Sequence, residues 1–524
     1  MDKISNGAAL PTTFDTGGNL SNLLVGAAVL RPHACALIYQ DMEISYRELD
    51  LLSRRAASYL QNIGIRAGDH VGVQIPNSPA FVALYFGILM LGATVVPQNP
   101  LSTAGELRQN MSDAKVQLVF TQSFGHDVAK TLRGGAQVVA VKSNDGLDLF
   151  GEFEPLQVVQ EVPGDATAVI LYTSGTTGNP KGAELTHANL SLNAAAAIEI
   201  YSLVPEDVVL GVLPLYHSYG QTCTLNGSIA VQARVVLADR FDAAPVARLI
   251  DQHKVTVFLG VPTMFSDVAH CPQEIASFDS LRICGAGGAP LPPEIRRNFE
   301  RRSRAPLFET YGLSETSPIA SINRRGTERR TGTIGWPIAG VEMKIVAQDR
   351  SSLPTGEIGE IAVRGHNVMK GYWNNPEATH DAIDRDGWFF TGDLGTVDDS
   401  GCFSVVGRLK DLIIRGGFNV YAAEIEHVLD THPAVRMAAV VGIPDERLGE
   451  EVGAAIVLEA GADISTDTLI AWSKKRLAPY KYPRHIWIVD ELPLGPTGKI
   501  LKRLLVPPSG IDELSSVTVV EESK

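Results

Sequence analysis

Cysteine is scarce in this sequence, and the spacing of the few that occur argues against a disulfide framework. The 524 residues include five cysteines, no two of which form a CxxC pair. An odd number leaves one thiol unpaired in any disulfide scheme, so the composition favours a reducing environment. We therefore expect a cytoplasmic protein. The cysteines are Cys35, Cys223, Cys271, Cys284 and Cys402.

Excess positive charge is also missing. The formal net charge is −14 and the isoelectric point is near 5.4, which argues against a general affinity for nucleic acid or for an anionic membrane surface. Any anion that the protein binds must be held by local lysines, arginines and backbone amides. The charge balance therefore favours small-molecule partners over nucleic acid.

Long apolar runs are few, and none predicts a membrane span. The uncharged stretch at 81–97 has a borderline length, but Gly92 and Pro97 divide it into a helix and a short β-branched run. The apolar stretch at 22–30 has no basic region before it. We predict buried core at both places and no integral membrane contact.

Short apolar runs alternate with helical patterns over most of the chain, which predicts an α/β fold with doubly wound, largely parallel sheets and helices on both faces. Short segments divided by Gly and Pro near 333–363 predict a small β-subdomain, and the residues after 420 suffice for a compact α+β domain. The predicted strands lie in 69–77, 94–100, 114–122, 166–174, 254–262 and 280–288, with a helix at 79–92.

The segment YTSGTTGNPKG at 172–182 has the composition of a phosphate-binding loop. It is not a Walker A motif, because Lys181 is followed by Gly182 rather than by Ser or Thr. Glycines that permit positive φ, several hydroxyls and Lys181 could nevertheless converge on one anion. Thr186 or Asn189 could cap the following helix. The alternative interpretation is a flexible surface turn rich in Gly and Thr.

Other familiar motifs are absent. A dinucleotide fingerprint in GAGGAP at 285–290 fails because its third glycine would fall on Pro290. The sequence also has no GxSxG nucleophile elbow and no HExxH. The loop at 172–182 is therefore the feature that points to chemistry.

Seven motifs in order resemble those of the adenylate-forming superfamily, which includes acyl- and aryl-CoA synthetases, luciferases and peptide-synthetase adenylation domains. The resemblance covers about residues 30 to 505 and is closest to fatty-acid or 4-coumarate-type CoA ligases. The motifs are YTSGTTGNPKG (172–182), LPLYHSYG (213–220), GAGGAPL (285–291), YGLSET (311–316), TGD (391–393), GRLKDLIIRGGFNV (407–420) and PLGPTGKILKR (493–503).

The resemblance implies a large N-terminal domain of doubly wound sheets with a small β-subdomain, and a small mobile α+β C-terminal domain. The implied boundaries are the N-terminal adenylation domain at 21–407, a hinge at 408–410 and the C-terminal domain at 411–505. The composition itself predicts a flexible arm at 1–20 and a disordered tail at 506–524.

The resemblance also implies a nucleotide site. The loop would close over the ATP phosphates, Tyr311 would stack on adenine, Asp393 would accept hydrogen bonds from the ribose, and Arg408 would reach its phosphate side. Taken alone, Tyr311 could be a core aromatic, Asp393 a turn residue and Arg408 a solvated charge. Mg²⁺ would be held by Glu315 together with Thr176 or Thr177. The implied ATP- and AMP-binding residues are Thr173, Ser174, Gly175, Thr176, Thr177, Gly178, Lys181, Gly285, Ala286, Gly287, Glu309, Thr310, Tyr311, Gly312, Thr316, Asp393, Arg408 and Lys499.

The implied reaction has two steps. A substrate carboxylate attacks the α-phosphorus of ATP, giving acyl-AMP and pyrophosphate, with Lys499 and Lys181 countering the negative charge. CoA then displaces AMP after the C-terminal domain rotates about Lys410, which brings Gly416 and Gly417 to the CoA tunnel. His217 would open that tunnel; alternatively it is structural. Together with His217, the implied substrate pocket contains Tyr219, Gly287 and Gly312.

We therefore predict an AMP-forming acid–CoA ligase that uses ATP, Mg²⁺ and CoA and acts on an apolar fatty or aromatic acid, as a monomer or homodimer. An amide synthetase that transfers the same acyl-adenylate to an amine is the alternative. A luciferase-like oxygenase is a further alternative, which the lack of any oxidative signature argues against.

Overall fold

The computed structural model describes residues 18–122, 136–141, 147–173, 180–324, 326, 328–493 and 500–508. The chain divides into two compact units, each of which is described by itself. The first unit comprises 1–343 and 362–391, and the second comprises 344–361 and 392–524. The predicted hinge at 408–410 lies inside the second unit, and the predicted domain boundaries stay predictions.

Strands alternate with helices along the described residues. The first strands are β1 (Cys35–Tyr39), β2 (Met42–Ser45), β3 (His70–Gln74), β4 (Thr94–Pro97), β5 (Leu118–Gln122), β6 (Gln137–Val141), β7 (Thr167–Thr173), β8 (Lys181–Thr186), β9 (Val208–Gly211) and β10 (Arg234–Leu237). Those that follow are β11 (Val257–Gly260), β12 (Ile283–Ala286), β13 (Leu307–Gly312), β14 (Ile319–Ile322), β15 (Trp336–Pro337), β16 (Val341–Val346), β17 (Gly359–Gly365) and β18 (Gly371–Tyr372). The last are β19 (Phe389–Val397), β20 (Phe403–Arg408), β21 (Leu412–Arg415), β22 (Phe418–Tyr421), β23 (Val435–Asp445), β24 (Gly449–Leu458) and β25 (His485–Ile488).

The helices fill the connections between strands. They are α1 (Asn22–Leu30), α2 (Tyr46–Asn62), α3 (Pro79–Met90), α4 (Ala104–Asp113), α5 (His187–Tyr201), α6 (Gly227–Ala230), α7 (Ala243–Gln252), α8 (Pro262–His270), α9 (Pro293–Ser303), α10 (Pro376–Ala382), α11 (Ala422–Asp430) and α12 (Thr466–Lys474). A π-helix occupies Gly220–Asn226, and 3₁₀ turns occupy Leu147–Leu149, Gln273–Ile275, Ser314–Thr316, Leu409–Asp411 and Lys502–Leu504. Among the described helices, none has both the length and the apolar character that a membrane span needs.

Two large sheets form the first unit. Within the described residues, one has nine strands in the order β15-β14-β13-β12-β11-β9-β10-β1-β2, and the other has seven in the order β18-β8-β7-β4-β3-β5-β6. The central pairings are parallel, such as β12 with β13 and β3 with β4, whereas edge pairings such as β13 with β14 and β7 with β8 are antiparallel. The predicted α/β fold with largely parallel sheets is confirmed.

The helix predicted at 79–92 is buried at every position from Pro79 to Met90. Ser78 caps its first turn by accepting from the Phe81 amide, and Pro79 occupies a position where a missing N–H costs little. β4 follows directly and is also buried. The uncharged stretch at 81–97 is therefore interior, as predicted.

The second unit contains a sheet in which β22, β21, β24 and β23 lie in that order and β25 pairs with β24. Helix α11 and part of α12 cover an apolar cluster that includes Val420, Ile425, Val440 and Leu469. This matches the α+β pattern predicted for the residues after 420.

The predicted β-subdomain at 333–363 requires a correction. β15 belongs to the edge of the nine-stranded sheet, and β16 and β17 join β19 and β20 in a four-stranded sheet. The partners β19 and β20 come from 389–408, so a local pattern could not reveal the whole sheet.

The chain before α1 is packed rather than loose where the structure describes it. Asn19 and Leu20 are buried, and the Leu20 amide donates to Nδ1 of His187 at 2.9 Å. Burial lowers the pKa of His187 to about 4, so the ring stays neutral near pH 7 and Nδ1 can accept. Residues 1–17 of the predicted arm lie outside the described part of the chain.

Candidate functional site

The hairpin of β7 and β8 carries the Gly- and Thr-rich loop. Thr173 ends β7 and Lys181 begins β8, and the two residues are paired across the antiparallel ladder. The pairing fixes both ends of the loop at one edge of the sheet. Residues 174–179 lie outside the described residues, and these include the predicted site residues Ser174, Gly175, Thr176, Thr177 and Gly178.

A buried carboxylate lies beside this hairpin. Glu315 is 8% exposed, and its Oε1 accepts hydrogen bonds from the Thr173 hydroxyl and from the Tyr372 hydroxyl, each at 3.1 Å. The Lys181 ammonium lies 5.1 Å from the centre of the Tyr372 ring. The structure therefore brings together three predicted residues, Thr173, Lys181 and Glu315, of which Glu315 lies 142 residues from Thr173 in the sequence.

Tyr372 is a member of this cluster that the sequence analysis missed. Burial and the nearby Glu315 charge raise its pKa, so the hydroxyl remains protonated and donates to the carboxylate. Tyr372 lies on β18, which pairs with β8 opposite Ala183. The aromatic pair in GYW at 371–373 was the available signal, but nothing local linked it to the loop.

The Glu315 cluster fits a hard cation. A carboxylate flanked by hydroxyl oxygens offers the donors that Mg²⁺ prefers, and Mg²⁺ commonly binds through one or two carboxylates plus substrate phosphates. Among the described residues there is no group of three or more His, Cys, Asp and Glu side chains that could hold a metal alone. A metal at Glu315 would therefore be shared with phosphate oxygens.

Gly285, Ala286 and Gly287, which we call the glycine wall, lie at the end of β12 and directly after it, beside β13. Ala286 pairs with Glu309 in the parallel ladder, and the Thr310 hydroxyl donates to the Ala286 carbonyl at 3.1 Å. A Cβ atom added at Gly287 would lie 2.9 Å from Oγ1 of Thr310, so a side chain would not fit. The carboxyl ends of adjacent parallel strands are the usual ligand-binding edge of an open α/β sheet.

The YGLSET segment at 311–316 continues from β13 into a tight turn. A Cβ atom at Gly312 would approach the Pro318 carbonyl oxygen to 1.8 Å, so this position requires glycine. Thr316 is buried and accepts from the Leu313 amide at 2.8 Å. Thr316 therefore stabilises the turn that presents Glu315, whereas Tyr311 is half-buried. Their nucleotide contacts stay predictions.

Glu309 is half-buried on β13, and one carboxylate oxygen accepts from the Leu291 amide at 3.1 Å. Burial raises its pKa to about 7. The hydrogen bond connects β13 to the segment that follows the glycine wall. Glu309 therefore supports the wall in this structure, and its predicted nucleotide contact stays a prediction.

The predicted ribose-binding pair belongs to the second unit. Asp393 on β19 and Arg408 on β20 are register partners, and Nε of Arg408 lies 2.9 Å from Oδ1 of Asp393. Asp393 is buried, whereas Arg408 is about one third exposed. The sequence alone did not predict this ion pair, because it depends on the register of β19 and β20. The ion pair orients the Asp393 carboxylate.

His217 and Tyr219 precede the buried π-helix. The His217 ring lies 4.7 Å from the Tyr216 ring, and the Tyr219 hydroxyl donates to the Gly285 carbonyl at 3.3 Å. Tyr219 therefore contacts the glycine wall. A π-helix is rare and frequently marks a functional site.

Gly416 and Gly417 form the two-residue turn between β21 and β22, with φ values of +56° and +82°. Two successive positive φ values are typical of the turn that joins such strands, so the hairpin itself explains both glycines. Lys410 lies in the 3₁₀ turn at Leu409–Asp411. Lys499 lies outside the described residues.

Comparison with known proteins gives the family. The model of the AMP-binding enzyme family matches residues 26–373, and that of the AMP-binding enzyme C-terminal domain matches 424–499. The chain belongs to the AMP-binding enzyme family. The resemblance inferred from seven ordered motifs is thereby confirmed.

Two curated relatives illustrate the range of this similarity. A long-chain-fatty-acid–CoA ligase of Bacillus subtilis is 36% identical, over 93% of this chain and 94% of that protein. A feruloyl-CoA synthase of an Amycolatopsis species is 37% identical, over 91% of this chain and 96% of that protein. Both names describe CoA ligases, one for a fatty acid and one for an aromatic acid.

Solved structures agree in fold. ATP-bound MatB from Rhodopseudomonas palustris superposes with a TM-score of 0.86 at 32% identity, covering 93% of this chain and 97% of that one. The o-succinylbenzoate CoA synthetase of Bacillus subtilis, in complex with AMP, gives a TM-score of 0.83 at 32% identity and covers 92% and 97%. The fold prediction is confirmed over almost the whole chain.

Proposed function

We propose that this protein is an AMP-forming acid–CoA ligase. In the first step a carboxylate oxygen bonds to the α-phosphorus of ATP, the bond to the bridging oxygen breaks, and pyrophosphate leaves. In the second step the CoA thiol loses its proton and attacks the acyl carbon, and AMP leaves. The observation that carries the proposal is the cluster of Thr173, Lys181, Glu315 and Tyr372 in a chain of the AMP-binding enzyme family.

The first step brings an anion to a polyanion, so catalysis depends on charge compensation and alignment. Lys181 supplies a cation at the base of the loop, and Glu315 would hold Mg²⁺ together with phosphate oxygens. Mg²⁺ neutralises charge on the phosphates when bound. The Tyr372 hydroxyl holds the Glu315 carboxylate in place through its hydrogen bond.

The remaining roles follow the family resemblance. The nucleotide is bound by Thr173, the loop at 174–178, Gly285–Gly287, Glu309–Gly312, Thr316 and the Asp393–Arg408 pair. Lys499 acts in the first step, and Gly416 and Gly417 act with CoA in the second, with Lys410 as the hinge. His217, Tyr219, Gly287 and Gly312 line the acyl pocket. The CoA-ligase names of the relatives favour CoA over an amine as acceptor.

The reaction is tested by a panel of carboxylic acids incubated with ATP and Mg²⁺, and with CoA, a primary amine or no acceptor. We expect AMP and pyrophosphate to form, and a thioester to appear only with CoA. Release of ADP and orthophosphate, or no AMP from any acid, would disprove adenylation. Amide formation that exceeds thioester formation would identify an amide synthetase instead.

The role of Lys499 predicts a separation of the two steps. Replacing it (Lys499→Ala) is expected to lower carboxylate-dependent pyrophosphate exchange at least about 100-fold, because the charge that screens the two anions is removed. Conversion of supplied acyl-adenylate to thioester should persist. Lys475→Ala, at an exposed lysine of the same unit, is the control. Equal loss of both steps in Lys499→Ala would reject the assigned role.

A further inference from the structure

The glycine wall is backed directly by one aromatic ring. A Cβ atom added at Gly285 would lie 2.6 Å from both Cε1 and the hydroxyl oxygen of Tyr201. Tyr201 is the last residue of α5 and is fully buried. The ring therefore occupies the volume that a side chain at position 285 would otherwise fill.

The hydroxyl of this ring belongs to a short buried network. The Tyr201 and Tyr219 hydroxyl oxygens are 3.1 Å apart, and the Tyr201 hydroxyl also donates to Oγ1 of Thr310 at 3.5 Å. Burial raises the pKa of both tyrosines, so their protons are retained. The network places polar atoms in a part of the wall that otherwise consists of Gly285 and its neighbours.

Arg282 holds the backbone at Tyr201 in place. Arg282 donates to the carbonyls of Tyr201 at 3.3 Å and Ser202 at 2.8 Å, and its Nε donates to Asp207 at 2.7 Å. Arg282 immediately precedes β12, the strand that carries Gly285. One guanidinium therefore fixes the backbone at the end of α5 against the strand of the wall, and its ion pair with the buried Asp207 holds the guanidinium itself.

We propose that Tyr201 determines acyl specificity by closing the pocket, and that the substrate is a compact aromatic acid with a polar substituent rather than a long-chain fatty acid. The inference rests on the proposed function, in which Tyr219 and Gly287 line the acyl pocket. A long alkyl chain would need the volume that the ring fills. Its apolar end would also cover the half-buried Tyr219 without offering a hydrogen bond to the Tyr219 hydroxyl, which is unfavourable.

A polar substituent has the opposite effect, because it can exchange hydrogen bonds with the Tyr201 and Tyr219 hydroxyls. Sites that bind a substrate hydroxyl discriminate strongly against the analogue that lacks it, since their own polar groups are left unpaired. Two curated relatives of nearly equal similarity are named for a fatty acid and for an aromatic acid. Tyr201 is the feature of this chain that favours the second kind.

The test compares kcat/KM for 4-hydroxycinnamate, cinnamate, hexanoate and dodecanoate, with thioester formation as readout. The unmodified protein should favour 4-hydroxycinnamate over dodecanoate by about 100-fold or more. Tyr201→Phe should keep this length preference but lower the preference for 4-hydroxycinnamate over cinnamate about tenfold. Tyr201→Ala should raise the dodecanoate-to-cinnamate ratio at least about tenfold.

Tyr46→Phe is the matched control, because Tyr46 is also fully buried and its hydroxyl donates to the Ala233 carbonyl at 2.6 Å, away from the wall. It should leave every ratio unchanged. If Tyr201→Ala does not fold, the proposal is tested by the dodecanoate-to-cinnamate ratio of Tyr201→Leu and by the preference of Tyr201→Phe for 4-hydroxycinnamate over cinnamate. A preference of the unmodified protein for dodecanoate, or unchanged ratios in the Tyr201 variants, would overturn this proposal alone. Absence of AMP from every acid would reject the proposed function and this inference with it.

Discussion

A buried carboxylate is unfavourable unless its charge is compensated, and the hydroxyls that donate to Glu315, those of Thr173 and Tyr372, are neutral. The substitution Glu315→Gln removes the charge and keeps the shape of the side chain, so it distinguishes a metal-binding role of Glu315 from a structural one. Thr173 and Tyr372 could still donate to an amide oxygen.

We expect Glu315→Gln to lower carboxylate-dependent pyrophosphate exchange about 100-fold at saturating ATP and to shift the Mg²⁺ requirement to higher concentration. The melting temperature should change little. Glu184→Gln is the matched control, because Glu184 accepts a threonine hydroxyl from Thr167 at 2.7 Å on the same hairpin. An unaltered Mg²⁺ titration in Glu315→Gln would contradict the assignment.

For single residues, the sequence showed which side chains are candidates for the site but not which other side chains contact them. The motifs selected Glu315 and Lys181, but Tyr372 joins them through the pairing of β18 with β8, a contact between distant segments. The paired glycines at 416 and 417 show the opposite case. The two-residue hairpin turn between β21 and β22 explains why both residues are glycine. The sequence alone predicted a role beside CoA for them but did not predict the turn.

Among the described helices, α3 is the longest that is buried at every position, and it contains a glycine at its contact with α2. A Cβ atom at Gly87 would lie 2.7 Å from the Ser53 carbonyl oxygen and 2.9 Å from the Ala56 Cβ. The close approach of the two helix backbones thus requires a residue without a side chain. Helix propensity alone would favour alanine here.

We predict that Gly87→Ala destabilises the protein by about 1 to 3 kcal/mol, because the helices must separate. The matched substitution is Gly105→Ala in α4, where an added Cβ has its nearest neighbour at 3.9 Å. That change should be neutral or stabilising by up to about 1 kcal/mol. Thermal unfolding of both variants checks the pair; a stabilised Gly87→Ala would show that the helices can adjust.

Element type was predictable because it follows local pattern. The strand at 69–77, the helix at 79–92 and the interior character of 81–97 were correctly predicted from alternation, Gly and Pro. Sheet membership was not predictable, since only three residues separate the end of β15 from the start of β16, yet the two strands belong to different sheets. Such assignments depend on long-range pairing, which a local window does not contain.

For the molecule as a whole, the proposed reaction requires that the two steps use different groups. Gly417 lies in the second unit, where an added Cβ would meet nothing within 4 Å, so a substitution there is limited by φ rather than by space. Asparagine tolerates positive φ better than other residues with side chains.

We expect Gly417→Asn to slow thioester formation from supplied acyl-adenylate about tenfold or more while sparing pyrophosphate exchange, because a side chain would narrow the CoA path. Gly461→Asn is the control, since Gly461 has φ of +79° and equally open surroundings in the same unit. An unchanged thioester rate in Gly417→Asn would exclude a CoA role for this turn.

The guanidinium of Arg282 secures the end of α5 through backbone carbonyls, so it holds that helix whatever aromatic or aliphatic group stands at position 201. The residues proposed to bind the phosphates lie on other elements, namely β7, β8 and the 3₁₀ turn at Ser314–Thr316. The preference for one carboxylic acid over another is therefore open to redesign at a single position. An engineer who seeks new thioesters could vary residue 201 and keep Arg282, which holds the end of α5.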